Sequence, residues 1–158
     1  MNEYIKMMEA YAQEHHVPIM QEEGINFLCD YVKTHHVKKI LEIGSAIGYS
    51  AIRMALMDET IHVVTIERDE ERYLEAVKNI ALLELENRIT IYHMDAFDFE
   101  SAEQFDLLFI DAAKAQYIKF FEKFKHNVTK DGAIITCLLY TSNELCIFLV
   151  ILKHRCVI

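Results

Sequence analysis

The sequence predicts a single α/β domain in which a parallel, doubly wound sheet carries helices on both faces. Short apolar runs alternate with segments of helical periodicity from residue 39 to residue 136, a pattern typical of strands joined by right-handed helical crossovers. A turn with two glycines follows the first apolar run, where a buried strand passes into a helix. With 158 residues, of which 53% are hydrophobic, the chain can bury the core of one domain of ordinary size.

The individual elements are predicted from hydrophobic spacing. Residues 3–15 and 22–35 have apolar side chains at helical spacing, and Pro18 separates them because the residue before a proline disfavours helix. The remaining elements follow in chain order: strand 39–43, a helix after Gly48, strand 61–67, helix 69–85, strand 88–93, strand 105–111, a helix through residue 126, and strand 132–136. Parallel strands end at a common edge, and ligands bind at that edge in sheets of this kind.

Composition and charge exclude several classes of protein. The chain has 25 acidic and 16 basic residues, a formal charge of −9, which argues against holding nucleic acid through a general basic surface. The longest apolar run, residues 145–152, is far shorter than the roughly 20 residues that span a bilayer, so no membrane partner is expected. Glu3 and Lys6 interrupt the first turns, so the start does not resemble a secretory signal and a cytoplasmic location is expected.

The C-terminal segment, residues 137–158, differs in composition from the rest of the chain. It contains three of the four cysteines and three charged side chains, and it shows no clear helical or strand periodicity. Residues 137–142, CLLYTS, match a translation of the transposon-end adapter used in sequencing libraries. We therefore expect a domain over residues 1–136 and a foreign tail that arises from read-through. A natural apolar strand and loop is the alternative.

The glycine turn and the strand that follows it predict a ligand site. Gly44 and Gly48, in residues 41–50, LEIGSAIGYS, would let a ligand approach the backbone closely, although a plain tight turn has the same spacing. Glu67 ends the second predicted strand, 23 residues after Gly44, near the roughly 20-residue interval at which an acidic side chain binds ribose hydroxyls. The two features together favour an adenosine ligand over a solvated glutamate at a strand end.

Two more carboxyl groups follow predicted strands. Asp95, with Ala96, follows the third strand and Asp111 follows the fourth, so both are expected at the same edge of the sheet. A carboxylate directly after the apolar run FDLLFI needs a cation or hydrogen-bond donors to remain ionised, which a metal or a ligand cation would supply. Lys114 opens the next helix, where it is either a general base or substrate clamp or an exposed lysine.

Three segments resemble the cation-dependent O-methyltransferases of the catechol and caffeoyl-CoA type. They are residues 41–55, LEIGSAIGYSAIRMA, residues 65–72, TIERDEER, and residues 109–117, FIDAAKAQY. Residues 10–20, AYAQEHHVPIM, are similar to the bacterial members that methylate 5-hydroxyuridine in tRNA. The resemblance extends from about residue 4 to Thr136. It implies a Rossmann-like methyltransferase sheet, S-adenosylmethionine and Mg²⁺ as cofactors, tRNA as substrate and a homodimer.

The resemblance also assigns roles to individual residues. Asp111 is the implied metal ligand, and Lys114 matches the catalytic lysine of the family. The residues implied to line the S-adenosylmethionine pocket are Met20, Gly44, Ser50, Glu67, Asp95, Ala96 and Asp111. Methyl transfer from a sulfonium requires a substrate oxygen aligned with the methyl group and shielded from water, and a bound divalent cation lowers the pKa of that oxygen.

The chain departs from the family pattern after the last predicted strand. The family continues with an Asp-Asn pair that completes the metal site, whereas this chain has Cys137 and Leu138. We therefore predict a methyltransferase fragment that has an incomplete Mg²⁺ site, lacks the C-terminal strands and leaves an open sheet edge. A small phenolic substrate and a non-catalytic adenosine-binding module are the alternatives. The histidine pairs 15–16 and 35–36 are assigned no catalytic role, because adjacent helical residues point apart.

Overall fold

The computed structural model describes residues 2–112, 114–139, 146–152 and 155–156, with side chains over residues 3–112 and 115–136. The helices are α1 (Asn2–Glu14), α2 (Glu22–Thr34), α3 (Tyr49–Ala55), α4 (Glu70–Leu82) and α5 (Tyr117–Phe124). The strands are β1 (Lys39–Ile43), β2 (His62–Glu67), β3 (Ile89–His93), β4 (Phe105–Ile110), β5 (Val128–Leu139), β6 (Cys146–Leu152) and β7 (Arg155–Cys156). Two 3₁₀ turns, Lys114–Gln116 and Lys125–Asn127, flank α5.

The described strands form one sheet in the order β3-β2-β1-β4-β5-β6-β7. β1 to β5 are parallel, and Ile43 at the end of β1 is in register with Ile66 of β2 and Ile110 of β4. β6 and β7 are antiparallel additions beyond β5. Because the chain order reverses between β1 and β4, a crevice opens outside the carboxyl ends of these two strands.

The sheet has a hydrophobic core on each face. Ile40 and Phe109 point to the face that is covered by α1, α2, α3 and α4. Leu41 and Leu108 point to the opposite face, where Phe120 of α5 packs against them. Strands that are buried on both faces appear in the sequence as continuous apolar runs, and this is why their positions could be predicted.

α1 and α2 end with the same arrangement of a tyrosine and two histidines. In α2, Nδ1 of His35 donates to the carbonyl oxygen of Tyr31 at 3.0 Å, and the two rings stack with centroids 4.0 Å apart. His36 has a left-handed φ of 52°, and the amide of Val37 donates to the carbonyl oxygen of Val32 at 3.0 Å. Twenty residues earlier, α1 repeats each of these contacts. The histidine pairs therefore terminate helices in the manner of a Schellman motif.

The predicted α/β fold is confirmed, and each predicted strand and helix of the domain is present with ends shifted by a few residues. The expectation for the C-terminal segment differs from the structure, which places β6 antiparallel to β5 with Thr136 opposite Leu149. An apolar run of this length suits a strand, and the exposed edge of β5 offers it a partner. Residues 140–142 of the adapter-like segment lie outside the described residues. Its origin by read-through stays a prediction.

No helix within the described part of the chain is long and apolar enough to cross a membrane.

Candidate functional site

A cavity of about 350 Å³ lies at the carboxyl ends of β1, β2 and β4, where the strand order reverses. The loop between α1 and α2 and the start of α5 complete its wall. Seven residues that the resemblance assigned to a cofactor pocket line this cavity: Met20, Gly44, Ser50, Glu67, Asp95, Ala96 and Asp111. The structure thus brings them together from separate segments of the chain, and their binding roles stay predictions.

The turn after β1 requires glycine at its first position. Gly44 has a φ of 92°, and a Cβ atom placed on it would lie 2.3 Å from the carbonyl oxygen of Asp111. Its amide donates to the carbonyl oxygen of Ile66 at 3.0 Å, while the Asp111 amide donates to that of Ile43 at 2.9 Å. The backbones of β1, β2 and β4 therefore meet at this turn, and no side chain fits between them.

Glu67 is held by backbone amides on both of its carboxylate oxygens. Oε2 accepts from the amide of Ala46 at 2.8 Å, and Oε1 accepts from the amide of Asp69 at 2.9 Å. The residue is 7% exposed and lines the cavity. Since each carboxylate oxygen can accept more than one hydrogen bond, the fixed carboxylate can also accept from a pair of ligand hydroxyls.

Glu42, in the middle of β1, is a buried acidic residue that the sequence analysis did not identify. Its oxygens accept from the hydroxyls of Ser50 and Thr65, each at 2.5 Å, and the residue is fully buried. Burial raises the pKa of Glu42 to about 7, although the two hydroxyl donors act in the opposite direction. Because the Ser50 hydroxyl donates its hydrogen bond to Glu42, the Ser50 oxygen is available to the cavity as a hydrogen-bond acceptor. An acidic residue within the apolar run KILEI was the signal that could have revealed this network.

Two features of the glycine turn concern ligand binding and rigidity. Ser45, which also lines the cavity, is 2% exposed, and its hydroxyl has no hydrogen-bond partner within the described chain. A buried hydroxyl without a partner carries a desolvation cost, so a polar group of a ligand would satisfy it. On the opposite side, Nδ2 of the buried Asn79 in α4 donates to the carbonyl oxygen of Ile47 at 3.0 Å and braces the turn.

The segment after β3 presents a carboxylate and a small residue to the cavity. Oδ1 of Asp95 accepts from the amide of Phe97 at 2.9 Å, which fixes the side chain in a short turn. Oδ2 of Asp95 has no partner among the described residues. Ala96 is buried beside it, and Phe120 of α5 forms the neighbouring apolar wall.

Asp111 directly follows β4 and lines the cavity. Desolvation there raises the pKa of its carboxyl to about 6. The negative charges of Asp111 and Glu67 also act on Glu42 and contribute to its raised pKa. A cavity that gathers several carboxyl groups favours a ligand with positive charge.

The predicted metal site lacks a set of ligands within the described part of the chain. Among the described residues no group of three histidine, cysteine or acidic side chains could hold a metal ion. The side chain of Lys114 lies outside the described residues, as do those of Cys137 and Leu138. Mg²⁺ prefers six oxygen ligands, and neither a thiol nor an isobutyl group supplies one. The residues present therefore do not fit a magnesium ion.

The chain belongs to the O-methyltransferase family, since the model of that family matches residues 1–141. The catechol O-methyltransferase of Niastella koreensis is 36% identical over 92 residues, which cover 54% of this chain and 42% of that protein. The match to the family model ends at residue 141, five residues beyond the predicted domain boundary at residue 136.

Solved structures of this family have the same fold. A Staphylococcus aureus structure named as a caffeoyl-CoA O-methyltransferase superposes with a TM-score of 0.80 and 36% identity, over 84% of this chain and 65% of that one. An O-methyltransferase from Bacillus cereus in complex with SAH superposes with a TM-score of 0.78 and 27% identity, over 85% and 66%. The chain spans about half the length of the curated relatives it matches.

Proposed function

We propose that the chain forms the cofactor-binding part of an S-adenosylmethionine-dependent O-methyltransferase, with the cofactor in the cavity at the end of β1. The observation that carries this proposal is the convergence of the seven implied pocket residues on one cavity at the strand-order reversal. Membership of the O-methyltransferase family and the resemblance to a structure that holds SAH support it. The volume of about 350 Å³ also lies within the range of small-molecule sites.

The residues of the cavity match the chemical groups of the cofactor. Glu67 would accept hydrogen bonds from the two ribose hydroxyls. Ser50, held as an acceptor by Glu42, suits the ammonium group, and the buried carboxyl groups suit a ligand that is cationic at both nitrogen and sulfur. S-adenosylmethionine supplies an activated methyl group when bound, so the protein has to orient the acceptor oxygen and exclude water.

No step of the reaction is assigned to Mg²⁺ in this chain. Asp111 is the one implied metal ligand that the chain retains, and Cys137 and Leu138 stand where the family has its Asp-Asn pair. Without a metal, no bound cation lowers the pKa of the acceptor hydroxyl. The chain as it stands would therefore bind the cofactor but transfer methyl groups poorly.

For the methyl acceptor we propose 5-hydroxyuridine in tRNA. The similarity of residues 10–20 to the tRNA-modifying members of the family supports it. That segment contains the end of α1 and Met20, whose side chain lines the cavity. A small phenol is the second candidate, because the relatives and structures reported above carry catechol and caffeoyl-CoA names.

A methyl-transfer assay distinguishes these acceptors. Residues 137–158 would be replaced by the continuation encoded in the source genome, and transfer of labelled methyl from S-adenosylmethionine would be measured on undermodified tRNA and on catechols. The proposal predicts transfer to tRNA that is lost when the wobble 5-hydroxyuridine is absent. Transfer to catechols alone would favour the small-phenol candidate. Cofactor binding without any transfer would indicate a non-catalytic adenosine-binding module.

A further inference from the structure

Two of the four arginines whose side chains are described have no partner for their guanidinium groups among the described residues. Arg53 donates to the Tyr49 hydroxyl at 2.9 Å and to Oδ1 of Asn26 at 3.1 Å, and Arg88 donates to backbone carbonyl oxygens. Arg68 and Arg72 have no comparable contact within the described chain, and both line the cofactor cavity. Arg68 directly follows Glu67, and Arg72 lies in the first turn of α4.

The carboxyl groups nearest in sequence do not neutralise these two arginines. The side chain of Glu67 accepts two backbone amides, and Asp69 accepts the amide of Arg72 at 3.0 Å as the N-cap of α4. Glu70 and Glu71 are exposed, and neither forms an ion pair with an arginine. Every ion pair that the structure describes, with N···O distances from 2.5 to 3.3 Å, joins a lysine to an acidic residue.

The backbone that carries the arginines is held in place. Nε2 of His93 donates to the carbonyl oxygen of Arg68 at 3.2 Å, and the His93 ring stacks on Tyr73 with centroids 4.9 Å apart. Arg68 is exposed and Arg72 is half-buried. The two guanidinium groups therefore project from a fixed segment at the rim of the cavity.

The proposed cofactor does not account for two cations at this position. Its ribose hydroxyls face Glu67, and its single carboxylate is attached beyond the sulfur, away from those hydroxyls. The adenine and ribose carry no negative charge. Two arginines beside the ribose end are therefore available to an anion that belongs to a second ligand, and guanidinium groups bind phosphate oxygens through paired hydrogen bonds.

We propose that Arg68 and Arg72 bind a phosphate group of the methyl acceptor at the rim of the cofactor cavity. This inference depends on the proposed function, because it concerns the second substrate of the same site. Phosphate could come from an RNA backbone or from a coenzyme A ester. In a chain with a formal charge of −9, a local pair of arginines would give a polyanion a defined approach despite the acidic surface.

The test measures binding of three probes to the 158-residue chain: a fluorescent RNA hairpin, coenzyme A, and SAH. The double variant R68Q/R72Q is compared with K33Q/K130Q, which removes the same charge at two exposed lysines that do not line the cavity. We expect R68Q/R72Q to lose at least tenfold in affinity for the RNA hairpin, and the slope of log affinity against log salt to fall by about 0.7, the value for one phosphate of a single strand. K33Q/K130Q should change affinity less than threefold.

The outcomes separate this inference from the proposed function. A selective loss of coenzyme A affinity would also support the phosphate site and would identify the second source of phosphate. Equal effects of the two double variants, or no binding of either phosphate probe by the unmodified chain, would overturn it. A drop in SAH affinity as large as the drop in RNA affinity would overturn it as well, because the arginines would then serve the cofactor. If the unmodified chain fails to bind SAH, the result contradicts the proposed function and, with it, this inference.

Discussion

Glu67 and Glu42 lie near the cavity but accept hydrogen bonds from different donors, and the two carboxyl groups therefore have different roles. Glu67 accepts from two backbone amides, which fix the orientation of its carboxylate toward the cavity. Glu42 accepts from two hydroxyls in a fully buried position, and burial raises its pKa to about 7. One residue is therefore ready to accept ligand hydroxyls, while the other orients Ser50.

Replacing Glu67 tests the first role. Glu67→Ala should weaken SAH binding by about 1.5 to 3 kcal/mol, the range for hydrogen bonds to a charged group, which is roughly a tenfold to hundredfold loss of affinity. Isothermal titration calorimetry measures this change, with Glu86→Ala as the control because Glu86 is exposed and does not line the cavity. Unchanged affinity in a folded variant would remove Glu67 from the site.

The buried carboxyl of Glu42 predicts a pH dependence of stability. A folded-state pKa of about 7 against an ordinary value of 4.5 means that the native state binds the proton more tightly. The resulting stability is fully present below about pH 4.5 and is lost as the pH rises through about 7, at no more than about 1.4 kcal/mol per pH unit. Glu42→Gln should remove this part of the slope.

Urea unfolding at several pH values between 4.5 and 8 measures that slope. The exposed Glu86→Gln serves as the control, since it makes the same chemical change on the surface. Identical slopes for Glu42→Gln and the unmodified chain would show that Glu42 titrates like an exposed carboxyl, which would argue against its full burial in the folded chain.

Helices α1 and α2 illustrate what the sequence could and could not predict at the scale of elements. Their extents followed from apolar spacing, but the role of the histidine pairs did not, because a left-handed φ at a residue other than glycine has no composition signal. The same reasoning applies to the site. Gly44 and Glu67 stood out through spacing. Glu42 had a signal in the apolar run KILEI, but its hydroxyl partners, like the lack of a described partner for the Arg68 side chain, became visible only when the hydrogen bonds were known.

The left-handed residue at the end of α2 gives a direct test of this helix ending. His36 has a φ of 52°, which costs a residue with a Cβ about 1 to 2 kcal/mol and glycine much less. His36→Gly should therefore be more stable than His36→Ala by about 1 kcal/mol in urea unfolding. The reverse order is expected at His35, whose φ is −95°, because glycine there adds only flexibility.

At the scale of the whole molecule, the predicted cofactor site and the predicted metal site divide at residue 137, within β5. The glycine turn, Glu67, Asp95 and Asp111 all precede that residue, and the Asp-Asn pair that the resemblance implies would occupy positions 137 and 138. β6 covers the edge of β5 in the structure, although composition alone predicted no element there. An apolar segment can pair with an open edge whatever its origin, which is why strand pairing does not test the read-through prediction.

The unmodified chain is predicted to have little or no methyltransferase activity. The side chains of Cys137 and Leu138 offer no oxygen ligand, so Mg²⁺ should not stimulate turnover. The assay compares this chain with one that carries the family's Asp-Asn pair and the genomic continuation, each with Mg²⁺ and with chelator. Comparable turnover by the two proteins would show that residues 137–158 are functional.

Binding of S-adenosylmethionine by the unmodified chain tests whether the cavity at the end of β1 is a cofactor site. Titration calorimetry with S-adenosylmethionine, on protein whose cooperative unfolding shows that it is folded, should give saturable binding at one site per chain. Absence of S-adenosylmethionine binding by the folded chain would contradict the account.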